Sequence, residues 1–159
     1  MINRRATISD AEILSRLNVD VQRLHARALP HLFKIPQSAD FTLQFMQDQL
    51  TDPNNYFYIT QQDGEDIGYV FARLIERTEN AVMYGWKYLY IDQISVKASH
   101  RGIGCGKQLM EMIFQLAKQE GIRTIALETW TFNQDAQAFF IKLGFEAFNF
   151  RMWRQENIA

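Results

Sequence analysis

The sequence predicts a mixed α+β domain, with an α/β crossover in its second half, and three observations carry that prediction. Residues 56–61 and 67–77 are strand-like runs flanking Asp63-Gly64, a turn signal, so they read as a hairpin. A glycine-rich turn, Gly102-Ile103-Gly104-Cys105-Gly106, separates an apolar strand pattern from an amphipathic helix pattern. A strand, a helix and a last strand come after it, so antiparallel hairpins precede a strand–helix–strand crossover.

Taken in order, residues 2–7 are the expected first strand. Ser9-Asp10-Ala11-Glu12 matches a capping box in which Ser9 accepts from the Glu12 N–H, so a helix is expected to start there. Ile13, Leu14, Leu17, Val21 and Leu24 recur at helical spacing and carry it to about residue 26. Pro30 and Pro36 interrupt the stretch after this helix, and residues 41–50 resemble a second short helix ending before Asp52-Pro53. After the hairpin, residues 88–96 form a third strand rich in aromatic and β-branched side chains. The helix opened by the glycine turn carries Leu109, Met112, Ile113, Leu116 and Ala117 on one stripe and ends at Gly121. Residues 124–129 are a strand, Ala136, Phe139, Phe140 and Leu143 are a helical stripe stopped at Gly144, and residues 145–154 are a last strand.

Length and composition narrow the function classes. A chain of 159 residues, 47% hydrophobic and 22% charged, suits one soluble domain spanning 1–159 that needs neither metal nor disulfide for stability. Seventeen basic against eighteen acidic residues give a net charge of -1, which offers no basic face for nucleic acid. The single cysteine, Cys105, precludes an internal disulfide and suits a reducing compartment. The charged start, Met1-Ile2-Asn3-Arg4-Arg5, is unlike a signal peptide, and no run approaches the ~18 apolar residues of a membrane span, so a cytoplasmic location without membrane partners is expected. No His, Cys and carboxylate cluster has metal-ligand spacing.

The glycine turn is the most informative motif. It carries almost no side-chain bulk, so its backbone N–H groups are approachable, and the helix behind it adds unpaired first-turn N–H groups and a positive dipole end. Arg101 and Lys107 flank it with full charges. Together these features describe a phosphate site. A Walker loop needs a glycine five positions before Gly106-Lys107 and a hydroxyl residue after the lysine, where this chain has Arg101 and Gln108. A dinucleotide fingerprint starting at Gly102 needs its third glycine at Lys107, and it belongs after a first strand.

Arg-x-x-Gly-x-Gly after a strand and before a helix resembles the GNAT superfamily of acetyl-CoA-dependent N-acetyltransferases. Arg5-Ala6-Thr7 with Asp10 looks like that family's opening, residues 90–96 like its central strand, and Asn133, Ala136, Phe139 and Gly144-Phe145 match its second signature at full spacing. The resemblance implies a mostly antiparallel twisted sheet with one splayed parallel strand pair, flanked by about four helices. It implies acetyl-CoA as cosubstrate, with Arg101, Gly102, Ile103, Gly104, Cys105, Gly106 and Lys107 around the pyrophosphate. Ile94, Ser95 and Val96 would meet the pantetheine arm, and Asn133, Ala136, Phe139 and Phe140 would also touch the coenzyme.

For catalysis the resemblance implies that a neutral amine attacks the thioester directly, with the Ile94 N–H facing the developing oxyanion. Asp92 holds the strand position of a water-assisted base, and alternation would put it on the face of Ile94 and Val96; its other reading is a hydrogen-bonded carboxylate that organises a loop. Glu128 has three readings: base, attractor of a cationic amine, or solvated strand-end charge. Asn133 also suffices as a helix N-cap.

Phe140 departs from the family pattern. The family has tyrosine there to protonate the leaving thiolate, so Tyr90, Tyr88 or water must replace it. Cys105 lies at a helix start, where a thiol pKa can fall, and is a remote nucleophile candidate. His25 and His31 lie in a stretch that, in the family, walls the acceptor site; their other reading is as surface or core histidines. Tyr84, Trp86, Tyr88, Tyr90, Trp130 and Phe132 read first as core or interface residues; their other reading is that some of them, with Asp92 and Glu128, form an aromatic and acidic pocket, which favours a small cationic amine acceptor. A peptide or protein amine and a catalytically silent acyl-CoA-binding or regulatory domain are the alternatives. Residues 145–154 leave room for one long strand or a very tight pair, and an open sheet edge there suggests a homodimer.

Overall fold

The computed structural model describes residues 1–156, in two compact units, Met1–Glu128 and the described residues from Thr129 onward. The first holds strand β1 (Ile2–Arg5), helices α1 (Ala11–Ala28) and α2 (Leu43–Leu50), strands β2 (Asn55–Gln62), β3 (Glu65–Arg77) and β4 (Trp86–Val96), helix α3 (Cys105–Gln119) and strand β5 (Ile125–Leu127). The strands form one sheet in the order β1-β2-β3-β4-β5, antiparallel except for the parallel pair β4 and β5. This is the mixed α+β sheet expected from the hairpin-then-crossover order.

Local chemistry explains the junctions. Asp63 and Gly64 both have positive φ, 51° and 82°, the geometry of a two-residue turn whose twist matches the strands, and Gln62 pairs with Glu65 across it. The entry to α1 differs from expectation. A 3₁₀ turn, Ile8–Asp10, precedes α1, and the capping box runs from Thr7 to Asp10 rather than from Ser9 to Glu12. The Asp10 carboxylate accepts from the Thr7 N–H at 2.8 Å and from Arg4 through both oxygens at 2.8 and 2.9 Å. The Thr7 hydroxyl also donates to it, at 3.1 Å, and a buried acid satisfied by four donors outcompetes the Ser9 hydroxyl cap.

One sheet face is covered by α1 and α2. Leu14, Leu17 and Met46 pack against Phe57, Ile59, Tyr69 and Phe71, and the rings of Phe57 and Phe71 stack with centroids 4.0 Å apart. Helix α3 lies against the other face, burying Leu109, Met110 and Ile113. At Gly68 of β3 an added Cβ would sit 2.9 Å from the Ser95 carbonyl oxygen and 3.0 Å from Cys105 Sγ, so the sheet approaches the start of α3 closely there.

The second unit holds helix α4 (Gln134–Lys142). Its Asn133 cap accepts from the Ala136 N–H at 3.3 Å. At its end, Gly144 has φ 89°, its N–H reaches the Ile141 carbonyl at 3.0 Å, and the Phe145 N–H reaches the Phe140 carbonyl at 3.1 Å. The Phe140 and Phe145 rings meet edge to face across that turn, which completes a Schellman stop and gives the Gly-Phe pair a structural role. The expected last strand does not form. Residues 145–156 have no regular structure, and Phe148, Phe150 and Met152 stand exposed. A lone apolar strand needs a neighbour to take its backbone hydrogen bonds, and no strand of the described residues pairs with it. The homodimer expectation rested on an edge at that strand and loses its support.

Candidate active site

The site begins with a fault in β4. Register pairs Ala72 with Ile91 but Phe71 with Gln93, so Asp92 is the extra residue of a β-bulge. Upstream of the bulge the Leu89 N–H points away from β3, to the Thr124 carbonyl at 3.0 Å, and downstream the Lys97 N–H points to β3, reaching Ile67 at 2.8 Å. Strand alternation from Lys97 then turns the N–H groups of Ile94 and Val96 away from β3. On that open side β5 ends at Leu127, opposite Ile91, so β4 runs on through Val96 without a sheet partner there among the described residues. The parted strand pair thus arises from one inserted residue and one short strand.

The bulge also corrects the placement of Asp92. Uninterrupted alternation puts it with Ile94 and Val96, but the extra residue breaks the alternation. Its carboxylate instead pairs with Arg73 of β3, which stands opposite Tyr90. The Arg73 guanidinium carbon lies 5.7 Å from the Tyr90 ring centre and 5.9 Å from that of Phe71, so these residues share the sheet face that Phe71 presents to α1 and α2. The sequence reading missed Arg73; a cation inside the run Val70-Phe71-Ala72-Arg73-Leu74-Ile75 was the available signal. Burial pushes the Tyr90 hydroxyl up, and the charges of Glu128 and Asp92 push it further, so the phenol keeps its proton well past neutrality. Glu128 itself is exposed just beyond β5.

Deeper on the same face, Asn18 of α1 donates to the Tyr69 hydroxyl at 2.7 Å and to Gln93 Oε1 at 3.1 Å, while Tyr69 donates to Gln93 at 2.6 Å. Ser95 donates to the Leu17 carbonyl at 2.8 Å. Its side chain is therefore turned to α1, not to the open side, and it anchors the strand that carries Ile94 and Val96.

At the far end of β4 the chain passes through a 3₁₀ turn, Ala98–His100, into the glycine turn. Gly102 and Gly104 have φ of 80° and 94°, and a Cβ on either would meet nothing within 4 Å, so open space lies over the backbone. Paired left-handed residues before a helix make a concave array of N–H groups suited to an anion. Arg101 and Lys107 are exposed beside it, and the Arg101 Nε donates to the Val96 carbonyl at 3.3 Å. Cys105 points inward instead. Burial pushes its thiol up, against the help of a hydrogen bond with Thr60, which removes the nucleophile reading.

The remaining aromatic candidates divide between the units. Trp86 and Tyr88 stack at 4.4 Å in the first and Tyr84 is exposed, whereas Trp130 and Phe132 stack at 6.3 Å in the second. His25 stacks on Phe33 at 5.0 Å, and burial lowers its pKa, which favours a neutral ring in the α1 packing. No helix of the described residues is long and apolar enough to cross a membrane.

A sheet parted beside a helix-launching glycine turn is the frame of the site, and comparison with known proteins assigns the family it belongs to. Residues 18–145 match the Acetyltransferase (GNAT) family, and the chain belongs to that family. Among curated relatives, N-acetyltransferase 8F1 of Rattus norvegicus is 27% identical over 108 residues, covering 68% of this chain and 45% of that protein. N-acetyltransferase 8B of Mus musculus is 28% identical over 107 residues, 65% of this chain and 44% of that protein. The chain thus spans less than half the length of these relatives. Among solved structures, a tetramutant of the BH1408 protein from Bacillus halodurans superposes with a TM-score of 0.91 at 24% identity, covering 98% of this chain and 100% of that one. The aminoglycoside antibiotic 6'-N-acetyltransferase AAC(6')-IG of Acinetobacter haemolyticus gives 0.72 at 18% identity over 100% of both chains. At these identities the structural matches speak for the fold.

Proposed function

We propose that this protein transfers the acetyl group of acetyl-CoA to a primary amine within a ternary complex. The observation that carries the reading is the Asp92 bulge, which turns the Ile94 and Val96 N–H groups to the side where β5 has ended, next to a glycine turn open to an anion. Family membership and the names of the curated relatives support acetyl transfer to nitrogen.

In this reading the glycine turn, with Arg101 and Lys107, holds the coenzyme pyrophosphate, and the Val96 backbone pairs with the pantetheine arm. Asn133, Ala136, Phe139 and Phe140 are assigned to the coenzyme by the resemblance alone. The amine nitrogen forms a C–N bond to the thioester carbonyl carbon, and the Ile94 N–H stabilises the oxyanion. The C–S bond then breaks. Asp92, directly or through water, takes the proton lost by nitrogen, and Tyr90 or water supplies one to the departing sulfur. The products are an amide and free coenzyme A. Tyr90 carries a proton at neutral pH, but burial and the charges of Glu128 and Asp92 make it a weaker acid than a free phenol, which keeps water as the other donor.

Asp92→Asn tests the assignment. Loss of the base should lower kcat by about 10²–10⁴-fold. Coenzyme binding should survive, so acetyl-CoA at 100 times its Kd should still add about 2.7 kcal/mol of stability to the variant. Unchanged turnover in Asp92→Asn would remove Asp92 from the mechanism. A second reading, acyl-CoA binding without transfer, is favoured by Phe140, which has no hydroxyl to give. It predicts the same stabilisation with no thiol release from any acceptor.

A further inference from the structure

The Arg73–Asp92 pair has an unbalanced geometry. Arg73 meets Asp92 through Nη2 and a single carboxylate oxygen, and its Nε is buried without a hydrogen-bond partner among the described residues. A guanidinium presents a planar fork of donors that matches a carboxylate through two parallel bonds, so this pairing leaves the fork half used. The side chain is nevertheless held in place, its carbon 5.9 Å and 5.7 Å from the ring centres of Phe71 and Tyr90, and it remains 40% exposed. Phe45 of α2, 40% exposed, meets the Phe71 ring edge-on at 6.5 Å and gives the same face an apolar wall.

The charges around it form a pattern. Arg73 is cationic, Asp92 is in contact with it, and Glu128 is close enough to raise the Tyr90 hydroxyl. An acceptor bearing only positive charge would face repulsion from Arg73. An acceptor whose amine and carboxylate are a few bonds apart complements both signs, with nitrogen beside Asp92 and the carboxylate on the Arg73 fork. Such a carboxylate supplies the second partner that Asp92 does not, and it loosens the hold of Arg73 on the carboxylate that must take the proton.

We propose that Arg73 is the specificity-determining residue of the acceptor site and that the acceptor is an α-amino acid or an amine of the same amino-carboxylate pattern, recognised through its carboxylate. The proposal rests on the acetyltransferase reading and narrows its substrate from primary amines at large to zwitterionic ones. It also replaces the purely cationic amine favoured by the aromatic and acidic residues alone.

The test pairs each L-amino acid of a panel with its own amide, which keeps the amine and side chain and removes the anion. The amide has the less basic nitrogen and so the larger neutral fraction, which means that any preference for the acid must come from the protein. Thiol release should give the best acid a kcat/KM at least tenfold above its amide. Arg73→Met should abolish that preference by lowering kcat/KM for the acid at least tenfold more than for the amide, and Arg73→Lys should restore part of it. Equal use of acid and amide by the parent, or an equal fall of both in Arg73→Met, would overturn the proposal and leave Arg73 a structural cross-strand cation. Equilibrium binding of the same pairs to the protein loaded with coenzyme A separates the two levels of inference. Acid-selective binding lost in Arg73→Met, without thiol release, would sink the transferase reading and uphold the acceptor class. Binding that ignores the carboxylate would sink the acceptor class whether or not turnover occurs.

Discussion

Gly68→Ala is a single methyl group placed where β3, β4 and α3 converge. The new Cβ would lie 2.9 Å from the Ser95 carbonyl oxygen, 3.0 Å from Cys105 Sγ and 3.2 Å from Val96 Cγ2. Two of these neighbours are side-chain atoms able to shift slightly. The third is a backbone carbonyl in a strand that the Ser95 hydroxyl ties to Leu17, and it has little room to move. Overpacking of this kind costs about 1–3 kcal/mol. The position has no left-handed strain to set against it, since Gly68 is absent from the positive-φ glycines, so alanine recovers about 0.4–1 kcal/mol through the unfolded chain. The net expectation is a loss of about 1–2 kcal/mol, read as a lower urea midpoint at unchanged slope. Because the displaced atoms belong to Val96 and Cys105, on either side of the glycine turn, KM for acetyl-CoA should rise as well. Adding Cys105→Ala should recover part of the stability and not all of it, because the carbonyl contact remains. A Gly68→Ala protein as stable as its parent would refute the claim that close backbone approach fixes glycine here.

Other expectations concern the turn, the acid limb and the thiol. Gly104→Ala meets no clash but must hold φ near 94°, so it should cost about 1–2 kcal/mol and weaken acetyl-CoA; an unchanged coenzyme-induced rise in Tm would argue against the cradle. The Arg4 guanidinium holds the Asp10 carboxyl below its ordinary range, against burial and with help from Thr7. A carboxyl depressed on folding contributes stability above its unfolded pKa of about 3.9 and loses it as pH falls through the lower folded value. Asp10→Asn should therefore cost about 1 kcal/mol at pH 7, where Arg4 is partly exposed and regains water, and should flatten the acid limb of a urea-midpoint profile. An acid limb identical to the parent's would count against it. Cys105→Ala should keep kcat within about twofold, and iodoacetamide should label native Cys105 slowly at pH 7, since burial disfavours the thiolate. Rapid labelling of the folded protein would return the thiol to consideration.

How much was legible in advance depended on the range of the interaction. The Asp63-Gly64 hairpin, the stripes of α1 and α3 and the stop at Gly144-Phe145 are local, because each is written within a few consecutive residues as spacing, a turn pair or a cap. The glycine turn was equally readable, since a lack of side chains ahead of a helix start needs no partner to have its meaning. Cooperation across the chain was harder to see. Thr7 displaced Ser9 as the cap because Asp10 gains Arg4 from β1, and the strand anticipated at 145–154 found no described neighbour to pair with.

By itself, then, the sequence determined the order of elements, the anion-seeking turn and the family motifs, because these depend on neighbours three or four positions away. Only the tertiary structure decided where Asp92 points and what it meets. Register between β3 and β4 is a property of two strands at once, and a single unpaired residue there reverses the alternation, turns two amides toward the side where β5 has ended and sets a carboxylate against Arg73, nineteen positions back along the chain.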